Sequence, residues 1–322
     1  MNSVHFRKLL SEYRTQIMGF AILWIILHHI GFFSMYAFNP IVNFFIKLGS
    51  CGVDIFLVLS SFGLYMSYSN NSDIKRFYKR RLIRILPAFL IIVLFFHIKH
   101  LGESLSIGFW ISEFLANWYI SFILLAYLFY PLIYYIQKKK CFLPILVACI
   151  LSLMGTIWLI NIHEDSIHDV PMLMVQRIPV FCLGSLLADR RLTFHIKYVY
   201  IVNAVLLGCL LVAFATGREY LVYPLYFIWV LPLLMTLLLI LNRMQNNKVT
   251  IMGGQFLYFL GTISLELYLT HMKVIPVLLR HGFNGILGIL LTVIGAIFVS
   301  VIVHETLKII ISLYEIRNNR CN

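Results

Sequence analysis

Apolar residues run through the chain in stretches near 20 long, separated by short polar connections that are mostly basic. A helix rising about 1.5 Å per residue needs roughly 20 such positions to cross the hydrocarbon of a bilayer. The pattern predicts ten spanning helices, at 15–34, 51–69, 83–98, 117–136, 142–161, 172–188, 198–215, 221–241, 255–279 and 284–312. The last two read either as long tilted helices or as helices broken near Pro276, Gly285 and Gly288. The connections leave no room for a linker, so residues 1–322 read as a single integral membrane domain. The expected fold is all-α, a polytopic helical bundle. No internal repeat suggests the two-fold design of many transporters.

Composition sharpens this picture. Of 322 residues 61% are hydrophobic and only 12% charged, whereas soluble domains carry about a quarter charged residues. The N-terminal "MNSVHFRKLLSEYRTQ" is polar, and no small-residue cleavage site follows the first apolar run, so a cleavable signal is not expected. A net charge of +13 could point to nucleic acid, but helix orientation accounts for it. With the N-terminus in the cytoplasm and ten spans alternating, all but six of the 26 Lys and Arg fall on the cytoplasmic side. The six are Lys47, Lys99, Arg177, Arg218, Lys273 and Arg280, and the outer loop "NIHEDSIHDV" is acidic. The expectation is a multi-pass protein of the cell (inner or plasma) membrane, with both termini cytoplasmic, surrounded by membrane lipids and without a nucleic-acid partner. Cys51, Cys141, Cys149, Cys182, Cys209 and Cys321 show neither paired nor metal-type spacing, so buried packing is expected and no metal site.

Ionisable groups inside spans are costly and mark either function or a paired structural contact. The first span, "AILWIILHHIGFF", holds His28 and His29. At about 100° per residue either imidazole can share a face with Arg14, roughly 21–22 Å away along the axis. One histidine is expected to work and one to pack. Asp54, in "GVDIFLVLSSFGLYMS", sits at a comparable depth on the next helix. It can orient an imidazole, or simply cap a helix near the membrane surface. Ser60 and Ser61 suit close helix packing. In "DIKRFYKRRLIRILPAF", Arg81 and Arg84 lie three residues apart on one face, beside Arg80. Two guanidinium groups at that level suit a bidentate grip on phosphate, and a positive-inside stop signal reads the same way. Arg177 lies in an apolar span and needs a distant partner, with Glu266 and Asp54 as candidates. Glu266, Tyr268 and His271 share the span "LGTISLELYLTHMKV", as site residues or as a network clamping helices together.

Six stretches in consistent order resemble the acyltransferase-3 family of integral membrane O-acyltransferases. They are "YRTQIMGFAILWIILHH", "GVDIFLVLSSFGLYMS", "FYKRRLIRILPAF", "WYISFILLAYLFYPL", "RIPVFCLGSLLA" and "LGTISLELYLTH". The resemblance implies acetyl transfer from cytoplasmic acetyl-CoA, with no tightly bound cofactor, to a carbohydrate acceptor. It maps the family's first-span histidine onto His29, and its paired arginines onto Arg81 and Arg84. The family's basic residue ahead of that histidine falls on Met18, a departure that Arg14, one turn earlier, can compensate. A glutamate that some members carry in the fourth span is replaced by Phe122 and Ile123. The implied mechanism has His29 as general base, Asp54 holding its tautomer, and Arg14 or Arg177 stabilising developing negative charge. The rival readings are a transporter or flippase of lipid-linked glycans and an inactive membrane scaffold.

Overall fold

The computed structural model describes residues 3–33, 39–98, 106–139, 143–162, 170–189, 193–217, 222–244 and 248–320. They form α1 (Phe6–Phe33), α2 (Pro40–Leu48), α3 (Cys51–Asn70), α4 (Ile74–Phe96), α5 (Ile107–Ala116), α6 (Trp118–Lys138) and α7 (Leu143–Ile162). There follow α8 (Val170–Val175), α9 (Ile178–Asp189), α10 (Ile196–Ala215), α11 (Val222–Arg243), α12 (Lys248–Thr262), α13 (Ser264–Arg280) and α14 (Gly285–Arg320). Two short strands, β1 (Ser3–His5) and β2 (Thr193–His195), pair antiparallel and tie the start of α1 to the start of α10. Lys99, Lys140, Arg190, Arg191, Arg218, Cys141, Cys321 and most of the acidic outer loop lie outside the described residues.

Each of the ten predicted spans falls on a helix or on a pair of helices. Among the described residues, five stretches suit a membrane crossing by length and composition: Pro40–Asn70, Trp118–Lys138, Ile196–Ala215, Pro224–Arg243 and Gly285–Leu313. The pair α12–α13 makes a sixth, bent by 77°. The break sits at Ile263 (φ −101°, ψ 16°), not near Pro276, which lies inside α13. A proline kink is optional when neighbouring helices satisfy the freed carbonyl. The predicted span at 172–188 is likewise divided, at Gln176 and Arg177. Ile286, Leu290, Ile294 and Phe298 of α14, and Val205, Leu211 and Val212 of α10, are exposed from the protein. Apolar side chains in that position suit contact with lipid tails, as a multi-pass membrane protein requires.

At the centre lies α3, apolar on nearly every side and buried from Cys51 through Leu59. A helix greasy all round is one surrounded by protein or lipid. On α1 a stripe of Phe6, Leu10, Tyr13, Ile17 and Ala21 is buried at helical spacing, with Phe6 and Tyr13 turned towards α11. The polar ends are capped locally: Asn39 accepts from the Ile41 amide ahead of α2, and Asp73 from the Arg76 amide ahead of α4. Cys51 and Cys182 are buried as expected, but Cys209 is exposed on α10, where a small apolar group meets lipid at little cost.

Glycines set the closest approaches. A Cβ on Gly19 would lie 1.8 Å from the Leu257 carbonyl oxygen, and one on Gly261 would lie 1.9 Å from that of Thr15. The two contacts are reciprocal and lock α1 to α12. On the far side of α3, a Cβ on Gly184 of α9 would meet the Val58 carbonyl oxygen at 2.3 Å. Apolar burial drives little association within lipid, so small residues that admit backbone to backbone carry much of the packing. Gly261→Leu or Gly19→Leu should cost at least the ~3 kcal/mol at the upper end of overpacking. The expected outcome is loss of the monodisperse peak in detergent size-exclusion chromatography, while Gly254→Leu, which meets open space, keeps it.

Candidate active site

Two neighbouring histidines on α1 face different partners. His28 turns towards α2, where its Nδ1 is 3.0 Å from the Ile46 carbonyl and its Cβ abuts Gly49. His29 turns towards α13. Its Nδ1 is 2.9 Å from the Ile25 carbonyl one turn earlier and 3.2 Å from Nε2 of His271. The Nδ1 of His271 is 2.9 Å from the Leu267 carbonyl. A carbonyl only accepts, so both rings carry their proton on Nδ1, a tautomer assigned from these partners. The lone pair on His271 Nε2 then accepts from His29. Nε2 of His29 is left unprotonated, with no hydrogen bond among the described residues. An imidazole in that state is a base with its lone pair available.

Aromatic rings wall this pair. Tyr268 lies one helical step from His271, with ring centroids 5.5 Å apart, and packs on Tyr119 of α6 at 4.6 Å. The Tyr268 hydroxyl has no hydrogen-bond partner among the described residues.

Asp54 does not reach the imidazoles. Its partner is Arg177, whose Nε is 3.6 Å from Oδ1. Arg177, at the break between α8 and α9, is buried to 3% exposure. It also donates to the Leu173 carbonyl and the Gln176 side chain, and its guanidinium lies 4.9 Å from the Trp118 ring. Two buried opposite charges find each other in the absence of water, so the expected Asp54–His29 contact is replaced by an Asp54–Arg177 pair and a backbone carbonyl. Glu266, the other candidate for Arg177, pairs instead with Nδ1 of His304 at 2.8 Å.

Arg14 likewise lies elsewhere than expected. Its guanidinium packs on Gly63 of α3, where a Cβ would stand 2.5 Å from Nη2. Its electrostatic neighbours are Arg84, Tyr127 and Arg81. Arg14 therefore belongs with the arginines of α4, about 22 Å along α1 from His29. Arg81 lies over Phe77 at 5.7 Å and Tyr127 at 5.8 Å, and the Tyr127 hydroxyl meets Ser60 at 3.1 Å. Nε of Arg14 and Nε of Arg81 are buried without a hydrogen bond, while Arg80 and Arg84 are exposed. None of the four has a carboxylate partner among the described residues. Clustered guanidinium groups without counter-charges form a receptor for an anion. Met18 packs among the partly buried apolar side chains of the core.

Several contributors escaped the sequence reading. His304 ends the apolar run "GAIFVSVIVH", a signal of the same kind that singled out His29. Glu113 of α5 joins Lys273 of α13 at 2.7 Å and His97 at 3.4 Å, pinning α13 two residues beyond His271. That clamp was hidden because the short helix α5 fell between predicted spans.

Removing one partner of the buried pair leaves a charge uncompensated, at a typical cost of about 3–5 kcal/mol. Asp54→Ala should therefore lower the melting temperature of detergent-solubilised protein by more than 5 °C, while Asp54→Ala,Arg177→Leu regains part of the loss. An Asp54→Ala protein as stable as wild type would contradict the pairing.

Against known families, residues 17–305 match the family described as an acyltransferase domain, the acyltransferase-3 family. No curated protein and no solved structure matches the chain. That match spans nearly the whole helical bundle: the chain belongs to the acyltransferase-3 family and is a membrane acyltransferase.

Proposed function

We propose that the protein moves an acetyl group from acetyl-CoA to a hydroxyl of a cell-surface polysaccharide or lipid-linked glycan. In this reading ten spans hold both termini in the cytoplasm, within the cell membrane, and the donor enters from the cytoplasmic side. Arg81, Arg84, Arg80 and Arg14 take the phosphates of CoA, and the thioester arm runs up the bundle towards His29. The observation that carries the reading is the pairing of two features joined by α1: an unprotonated Nε2 on His29, and, about 22 Å along the helix at Arg14, an arginine cluster shared with α4 that has no carboxylate partner among the described residues.

The chemistry follows from those groups. Nε2 of His29 takes the proton of the acceptor hydroxyl as its oxygen attacks the thioester carbon. The tetrahedral oxyanion is stabilised by donors in a site from which water is excluded. The Tyr268 hydroxyl, without a hydrogen-bond partner among the described residues and beside His271, is one such donor, and Arg177 supplies positive charge near it. Collapse expels the thiolate of CoA, which recovers the proton from His29. A general base of this kind contributes about 10²–10⁴-fold.

Mass spectrometry of surface glycans, before and after mild base, tests the reading in cells expressing the protein. Wild type should add a base-labile acetyl group that His29→Ala abolishes and His28→Ala retains. Persistence of acetyl in His29→Ala with its loss in His28→Ala would transfer the base to the other histidine. No acetyl dependent on either residue would remove both histidines from the role of base and overturn the proposed acetyl transfer. In membranes supplied with acetyl-CoA, Arg81→Ala and Arg84→Ala should each raise KM for acetyl-CoA about tenfold or more, as loss of a charge-assisted contact of ~1.5–3 kcal/mol requires.

A further inference from the structure

A histidine base works only when something holds its second nitrogen, fixing tautomer and ring orientation. In serine hydrolases a buried carboxylate does this from Nδ1. Every buried or half-buried carboxylate near this site is engaged elsewhere: Asp54 by Arg177, Glu266 by His304, and Glu113 by Lys273 and His97. Among the described residues no carboxylate touches His29. The side-chain atom that stands at its Nδ1 is Nε2 of His271, 3.2 Å away.

His271 is built to be that acceptor. It is fully buried, at 0% exposure, so its ring exchanges no partner with water. Its own Nδ1 proton is held by the Leu267 carbonyl at 2.9 Å, which turns the Nε2 lone pair towards His29. The two rings are 5.0 Å apart between centroids and inclined at 55°. Lys273, two residues further on, anchors this part of α13 to Glu113 of α5 and resists rotation of the helix.

We propose that His271 is the positioning residue for His29: its Nε2 shares the Nδ1 proton of His29 with the Ile25 carbonyl, helps keep the reactive Nε2 unprotonated, and shares the positive charge when His29 becomes an imidazolium. The proposal rests on His29 being the base. The proton balance is simple. The hydroxyl proton moves to His29 Nε2 as the carbon–oxygen bond forms, and it leaves with the thiolate as the carbon–sulfur bond breaks. The Nδ1 protons of both rings stay in place throughout. A neutral acceptor also differs usefully from a carboxylate, because it adds no fixed negative charge beside a developing oxyanion in a low-dielectric site.

The test measures release of CoA thiol from acetyl-CoA in native membranes that supply the acceptor. His271→Leu keeps volume and removes the acceptor; His271→Gln restores an amide oxygen close to the position of Nε2. His271→Leu should lower kcat about 10²-fold, within the range of a general base, and leave KM for acetyl-CoA unchanged. His271→Gln should recover kcat to within about tenfold of wild type, a rescue that side-chain packing alone does not predict. A His271→Leu enzyme within threefold of wild type overturns the proposal, and so does a well-folded His271→Gln no better than His271→Leu. Nitrogen-15 spectra of histidine-labelled wild type need no folded variant of His271. They should show His29, identified by loss of its signal in His29→Asn, protonated on Nδ1, and protonation on Nε2 instead overturns the proposal. Full activity in His29→Ala would instead sink the base assignment itself, a result separable from any of these.

Discussion

The reciprocal contact between α1 and α12 governs where everything else can sit. Gly19 rests on the Leu257 carbonyl and Gly261 on that of Thr15, at separations that admit no side chain on either helix. Lipid offers no hydrophobic gain for bringing two apolar helices together, so such backbone contacts carry the association. With α12 locked there, the chain turns by 77° at Ile263 and α13 crosses α1 again nearer its other end. That second crossing brings His271 against His29. The imidazole pair is thus a consequence of two crossings of the same helix, one set by glycines and one by the bend between them.

The buried polar groups divide into clamps and tools. Asp54 with Arg177, Glu266 with His304, and Glu113 with Lys273 are matched pairs that join separate helices and leave little capacity unspent. Burying a charge is tolerable only when a partner offsets lost hydration. Nε2 of His29, the Tyr268 hydroxyl and the arginine cluster differ, since each retains unused donor or acceptor capacity inside the bundle. Polar capacity kept free inside a bundle is costly to fold, and the proposed acyl transfer is a chemistry that would use it. Both poles depend on α1, which carries Arg14 near its start and His29 near its end. One rigid helix therefore fixes the distance between the arginine cluster and His29.

Much of this was legible in the chain. Runs of about 20 apolar residues must be helical in a bilayer because every backbone group needs an internal partner, and each predicted run lies on helix. The intramembrane residues picked out as costly are indeed engaged: His28, His29, Asp54, Arg177, Glu266 and His271 all have specific partners. The six ordered motifs that resemble the acyltransferase-3 family led to the family itself. Arg80, Arg81 and Arg84 of α4 have no carboxylate partner among the described residues.

Pairing was beyond reach, and the reason is geometric. Periodicity assigns a residue to a helix face, but a partner depends on tilt, rotation and crossing point, which non-local contacts decide. Asp54 at the depth of His29 was a sound candidate to orient it, until the break before α9 delivered a guanidinium to the same carboxylate. Arg14 shares a face with the histidines on paper, yet Gly63 opens a place for it beside Arg81 and Arg84. The sequence by itself determined the helices, their membrane setting and the costly residues, because those follow from composition and the hydrogen-bonding demands of lipid. Only the tertiary structure decided which imidazole faces which, because glycine contacts between helices more than 200 residues apart in sequence set the rotation of α1 against α13.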